Sequence, residues 1–326
     1  MQHQMNEGWP ALPLDEWSDT YATLHMYTQI VGKVRMALTP TMNEWWNVAL
    51  YVTSRGLTTS PIPYGNRTFQ MDFDFHDHLL LMLTSTGDVR RIPLGSSVRG
   101  FYREVMSTLR ALDIDVAIRP VPVEVPNPIP FEEDTLHAVY DPGAARRFWE
   151  VLTRVDMLFK QFRARFTGKC SPVHFFWGSF DLAVSRFSGR PTPVDPNTDP
   201  ITRLAYDQEV SSLGFWPGGT AANGVAVDGA CFYAYMVPRP TGLESARISP
   251  PAAFFHEALG EHMLMYDDVR ASAEPERAVL DFARSTYDAG AQRARWPDFT
   301  ASWGEPPSPS VRRQEAGAST EMPGVT

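Results

Sequence analysis

Apolar residues along this chain recur at two spacings, every three or four positions in some stretches and every second position in others. From 15 to 37 the spacing is helical: Trp17, Tyr21, Leu24 and Thr28 fall on one side, and Asp15 stands where its carboxylate can cap the first turn. Thr39-Pro40 ends that helix, because the residue before a proline is forced out of the helical region. Residues 45–55 read as a strand, broken by Gly56 and pushed to a sheet edge by Pro61 and Pro63. The alternation is cleanest between Phe69 and Phe75, with Phe69, Met71, Phe73 and Phe75 on one face and Gln70, Asp72, Asp74 and His76 on the other. Residues 79–83 and 89–93 follow as a hairpin turning at Thr86-Gly87-Asp88. An amphipathic helix over 97–112, capped by Ser97, and a short strand over 115–121 complete this half.

The stretch 119–130 holds too many prolines for a helix or an inner strand and reads as an extended connector. Asp141-Pro142 opens a second long helix over 143–167, with the proline where a missing N–H costs nothing. A strand over 173–187, a surface loop over 189–212 and a Gly214–Gly219 turn exposing Phe215 and Trp216 come next. A strand over 230–237 and a helix over 276–295 close the ordered part.

The two halves match. Segments 17–53 and 149–185 align without a gap, pairing Trp17 with Trp149, Tyr27 with Phe159, Gln29 with Gln161, Thr39-Pro40 with Ser171-Pro172, and Trp45 with Trp177. The expected fold is therefore α+β: an internally duplicated helix–antiparallel strands–helix unit, its two copies packed with pseudo-two-fold symmetry. The boundaries are a loose N-terminus over 1–8, a first unit over 9–121, a connector over 122–142, a second unit over 143–296 and a disordered tail over 297–326. A ligand would sit in a cleft between the units or on the open face of a sheet.

A chain of 326 residues with 43% hydrophobic content can bury a sizeable core. A net charge of −9 argues against nucleic acid and against an anionic membrane surface as partners. No apolar run is long enough to span a bilayer, the N-terminal residues lack the pattern of a signal peptide, and two cysteines make no disulfide framework, so the cytoplasm is the expected location.

Three stretches could carry chemistry. Asp72, Asp74, His76 and His78 share strand parity, and alternate residues on a strand stand close enough to grip a metal, which suggests a metal-dependent enzyme as one alternative. The segment 171–190 mixes aromatic walls with isolated polar groups, as a small-molecule pocket does. In it His174 and Asp181 stand where the first unit has Met42 and Ala49. The leading expectation is a small-molecule-binding protein or enzyme. His174 or His78 would move protons, Asp181 would orient the imidazole, and Arg186 would hold an anionic group, with Trp177, Tyr51, Asp74 and Ser179 lining the site. The third stretch, His256–His262, has the wrong spacing for a zincin helix, and its Glu257 and Glu261 read as a solvated surface. A protein-interaction module, docking through Phe215 and Trp216, is the remaining alternative. No phosphate loop, dinucleotide fingerprint or nucleophile elbow occurs, and the sequence assigns no cofactor.

WPALPLDEW (9–17), the 47–64 run, FDFHDH (73–78), the 171–190 segment and GFWPGG (214–219) together resemble an uncharacterised bacterial family, the domain of unknown function family 5996. The resemblance spans about 9–296 and includes Asp77, His78, His174, Trp177, Asp181 and Arg186, but not His76, His256 or His262. It implies a bacterial cytoplasmic protein and brings no activity with it.

Overall fold

The computed structural model describes residues 9–193, 197–221 and 223–300, so the expected loose stretch 1–8 and most of the expected tail lie outside the described residues. Each half opens on a long helix followed by an antiparallel sheet, an α+β fold. Helix α1 (Leu14–Leu38) has Pro13 at its N-cap. Asp15 therefore does not cap; it lies inside the first turn, where its charge complements the helix dipole. The helix is buried on almost every side along Thr23–Arg35, which places it at the centre of the molecule rather than on a surface.

The strand expected over 45–55 shrinks to β1 (Tyr51–Val52), because Glu44 and Trp45 take positive φ in a 3-10 turn and redirect the chain. Strands β2 (Gly56–Thr58), β3 (Ile62–Tyr64), β4 (Arg67–Asp74), β5 (Leu79–Thr84) and β6 (Val89–Pro93) complete a sheet in the order β1-β2-β4-β5-β6, with β3 pairing β4 off that path. Helix α2 (Val98–Ala111) follows, its Ser97 cap accepting the Gly100 N–H at 3.2 Å. The short strand expected over 115–121 does not form.

Helix α3 (Pro142–Arg163) starts as expected, with the Asp141 carboxylate accepting the Gly143 N–H at 2.7 Å. The strand expected over 173–187 is two strands, β7 (His174–Phe176) and β8 (Asp181–Pro191). Phe180, with φ of +60°, closes the turn between them by donating its N–H to the Phe176 carbonyl at 2.8 Å. The expected loop over 189–212 instead contains the end of β8, helix α4 (Pro200–Ala205) and the start of β9 (Gln208–Trp216). A small hairpin of β10 (Gly219–Thr220) and β11 (Ala226–Val227) precedes β12 (Cys231–Val237), β13 (Phe254–His256) and β14 (Glu261–Met265). Helices α5 (Tyr266–Ala271) and α6 (Pro275–Arg293) follow.

The second sheet runs β13-β14-β12-β9-β8-β7 and is antiparallel throughout. Its register divides the residues into two faces. Leu182, Val184, Leu213, Phe215, Phe232 and Leu264 face the core that α3 and α6 cover. Asp181, Ala183, Gly214, Tyr233, Tyr235 and Glu261 share the opposite face. The two sheets meet at one bridge, where Leu50 and Phe175 exchange N–H···O bonds of 2.9 and 2.8 Å. A single continuous core runs through both halves, from Phe73 and Phe101 through Tyr27 and Ile30 to Phe148, Leu182 and Phe232.

Candidate functional site

The face of the second sheet turned away from α3 and α6 floors a cleft of about 760 Å³. Tyr21, Ala22, His25 and Met26 of α1 form one wall. The proline-rich stretch Pro122–Ile129 forms the roof. It is held by one side chain: Gln29 accepts the Val123 N–H at 2.9 Å and donates to the Val123 carbonyl at 2.8 Å, so its amide replaces a partner strand. The connector therefore lines a cavity as well as joining the halves.

Asp181 lies at the deep end, 4% exposed, at the first residue of β8. One carboxylate oxygen accepts from the Ser179 hydroxyl and the other from the Tyr233 hydroxyl. Tyr233 stands on β12, with β9 between it and β8, and reaches Asp181 by lying across Gly214. A Cβ at Gly214 would sit 2.0 Å from the tyrosine ring, so the missing side chain in mid-strand makes the contact possible. Burial raises the Asp181 pKa, and the two hydroxyls offset only part of that.

Two glutamates share the cavity. Glu261 of β14 is half-buried, and Glu124 of the roof, held at φ +57°, folds its carboxyl against Gly178. Desolvation, then the nearby Asp181 charge, pushes each up to about 7. Solvent reaches Glu124 more freely than Glu261, so Glu261 is the better candidate for a carboxyl that titrates near neutrality. Neither glutamate forms an ion pair or a hydrogen bond among the described residues. Nε2 of buried His25 lies within hydrogen-bond distance of the carbonyls of Gly178 (2.9 Å) and Trp177 (3.1 Å) and of the Gln29 amide nitrogen (3.1 Å), and burial lowers its pKa to about 4. Burial likewise pushes the Cys231 thiol up to about 12, which leaves it a poor nucleophile. Tyr206, Tyr235 and Trp216 complete the aromatic lining.

Of the site residues expected from the sequence, Asp181 and Ser179 line this cleft; His174, His78, Trp177, Arg186, Tyr51 and Asp74 do not. His174 is buried among Trp46, Tyr51 and Phe176, with both ring nitrogens unpartnered and its pKa lowered by burial, then by Arg35 and Arg163, to about 3. It is not joined to Asp181: in the β7–β8 register His174 stands opposite Ala183, and Asp181 stands opposite Phe176. Trp177 packs on α1 where Gly32 leaves room, and donates its indole N–H to the Val48 carbonyl at 2.9 Å. Arg186 points to the opposite face of β8, its guanidinium 3.6 Å from the centre of the Phe162 ring and near Phe166 and Tyr287; burial lowers its pKa to about 10.

The expected Asp72–His78 row breaks because β4 ends at Asp74. Asp72 accepts from Thr58 and Gln70, and His76 lies 4.8 Å from the Trp149 ring. His78 meets the Tyr140 hydroxyl through Nδ1 at 2.9 Å. Asp74 pairs with Arg55 and closes the turn by accepting the N–H groups of His76 and Asp77. Among the described residues no group of three His, Cys, Asp or Glu side chains is arranged to hold a metal ion. Phe215 and Trp216 are not an exposed turn. Phe215 is fully buried on the core face against Phe232 and Tyr266, and Trp216 faces the cleft.

Sequence parity found Asp181 but missed Glu124, Glu261 and Tyr233. Glu261 read as a solvated surface, yet it opens a strand in a β13–β14 hairpin and lines the cleft. The alternation His262, Leu264 against Glu261, Met263 was the signal available for it.

The profile of a family of unknown function (DUF5996) matches residues 9–302, and the chain belongs to that family. No curated protein and no solved structure matches it. Among the described residues no helix is long and apolar enough to cross a membrane.

Proposed function

We propose that this protein binds a small organic molecule in the cleft between α1, the proline-rich roof and the open face of the second sheet. Asp181, Glu261 and Glu124 are its proton-handling groups. The observation that carries this reading is the convergence of three carboxyl groups in one aromatic-lined cavity, two of them pushed to about 7. A carboxyl that titrates near working pH can both give and take a proton. Asp181, fixed by two hydroxyls, suits a stationary charge facing that step. The two unpaired cysteines and the family membership support a bacterial cytoplasmic setting.

Native mass spectrometry of freshly purified protein, compared with its denatured mass, tests the reading. The expected result is a bound organic mass that disappears in Ala22→Trp, which fills the cleft from the α1 wall. A bound mass that survives this variant, in a protein that still folds, overturns the reading.

A further inference from the structure

The cleft is rich in carboxyl groups and, among the described residues, holds no lysine or arginine. Ser179 and Tyr233 donate to Asp181, Tyr21 donates to the Gly218 carbonyl at 3.2 Å, and the Asn127, Thr220 and His137 side chains also line it. Tyr206 and Tyr235 bond each other at 3.0 Å. Glu124 and Glu261 receive no hydrogen bond from the described residues. His25, 7% exposed, lines the cleft. Its Nε2 is anchored against two carbonyl oxygens and the Gln29 amide nitrogen, and its Nδ1 has no partner among the described residues.

We propose that the ligand of this cleft is an organic cation bearing N–H donors: a primary or secondary ammonium on an apolar or aromatic body. The inference rests on the reading that the cleft binds a small molecule. An ammonium offers only donors, which is what the Glu124 and Glu261 carboxyls lack. The faces of Tyr21, Trp216 and the β12 tyrosines attract a cation through their ring quadrupoles. An anion would face three carboxyl groups, and the basic groups on the lining are His25, whose pKa burial lowers to about 4, and His137, whose Nδ1 is taken by Asp134. A net charge of −9 draws cations towards the molecule from a distance. Because Glu124 and Glu261 are held near neutrality by burial and by Asp181, an arriving ammonium pulls their pKa values down, so binding at pH 7 releases protons.

The test is isothermal titration calorimetry with phenethylammonium, 2-phenylethanol and phenylacetate, in two buffers of different ionisation heat. The proteins are wild type, Glu261→Gln, Asp181→Asn and two cleft-filling variants, Ala22→Trp and Thr220→Trp, each checked for folding by circular dichroism. The expected result is that phenethylammonium binds at least about tenfold more tightly than the alcohol or the carboxylate. It releases protons at pH 7, weakens in Glu261→Gln or Asp181→Asn, and is lost in a folded filling variant. If the alcohol or the carboxylate binds as well as the ammonium and a filling variant removes it, the cation class is overturned and the binding cleft stands. If no probe binds, or if every folded filling variant binds as wild type does, both fall. An ammonium preference untouched by both carboxyl variants also overturns the proposal.

Discussion

Asp74 and Asp181 are almost equally buried, at 3% and 4% exposure, yet their pKa values move in opposite directions. Burial pushes both carboxyls up. At Asp74 that push is overcome by the Arg55 guanidinium and by the N–H groups of Asp77 and His76, and the pKa falls below the usual range. At Asp181 the partners are two neutral hydroxyls, too weak to reverse it. A cationic neighbour at Asp74, set against deeper desolvation with only neutral partners at Asp181, separates a carboxylate that holds a turn together from one left strained at the end of a cavity. The first reads as structure and the second as a site.

The largest expected effect is at Asp74. Asp74→Ala strands two turn amides and leaves Arg55 with Asp77 alone, and should lower stability by about 2–3 kcal/mol in urea denaturation; a loss near zero would break the contrast. Next comes Gly214→Ala, whose methyl group displaces the Tyr233 ring and should cost roughly 1–3 kcal/mol. Tyr233→Phe in the same background should then add little further loss, because the hydroxyl bond to Asp181 is already broken. Asp181→Asn should change stability at pH 7 by less than about 1 kcal/mol, in the stabilising direction, since it removes a desolvated charge and keeps the shape. A large destabilisation there would make Asp181 a structural residue like Asp74.

The smallest effect, and the sharpest discriminator, is in the pH dependence. The Asp74 pKa is depressed, so its contribution is present above the unfolded carboxylate pKa and is lost as pH falls through the folded value. The Asp181 and Glu261 pKa values are raised, so the folded state binds their protons more tightly. Their contribution is present at low pH and is lost as pH rises, for Glu261 through about 7. Between pH 5.5 and 8 this loss runs against the gain from buried His25 and His174, so the readout is the difference: Glu261→Gln should gain melting temperature relative to wild type as pH rises over that interval, with the acid limb unchanged.

The period of the apolar residues was enough to place the long helices and the β4–β6 meander, because those segments carry their own spacing. It failed where one residue breaks the backbone without announcing it. Phe180 has positive φ without being a glycine, so 173–187 looked like one strand and put His174, Trp177 and Asp181 into one parity argument. The cleft was half legible. Asp181 stood out as a polar residue where the matching segment has Ala49. Glu124, Tyr233 and Glu261 come from a connector and two distant strands, and only the order β8-β9-β12-β14 brings them together. That order is fixed by tertiary pairing, which local spacing does not encode. Gly214, opposite Tyr233 in mid-strand, was the one local trace of the arrangement.

The burial of α1 on nearly every side bears on how the chain is made. Synthesis runs from the N-terminus, so α1, the first sheet and the roof leave the ribosome before any strand of the cleft floor exists. The side of α1 that later meets Phe148 and Phe180 stays bare through that interval. The N-terminal half is thus a nascent intermediate with a sticky flank, dependent on prompt completion or on a chaperone. The floor of the proposed cleft is complete only once β14, with Glu261, has been made.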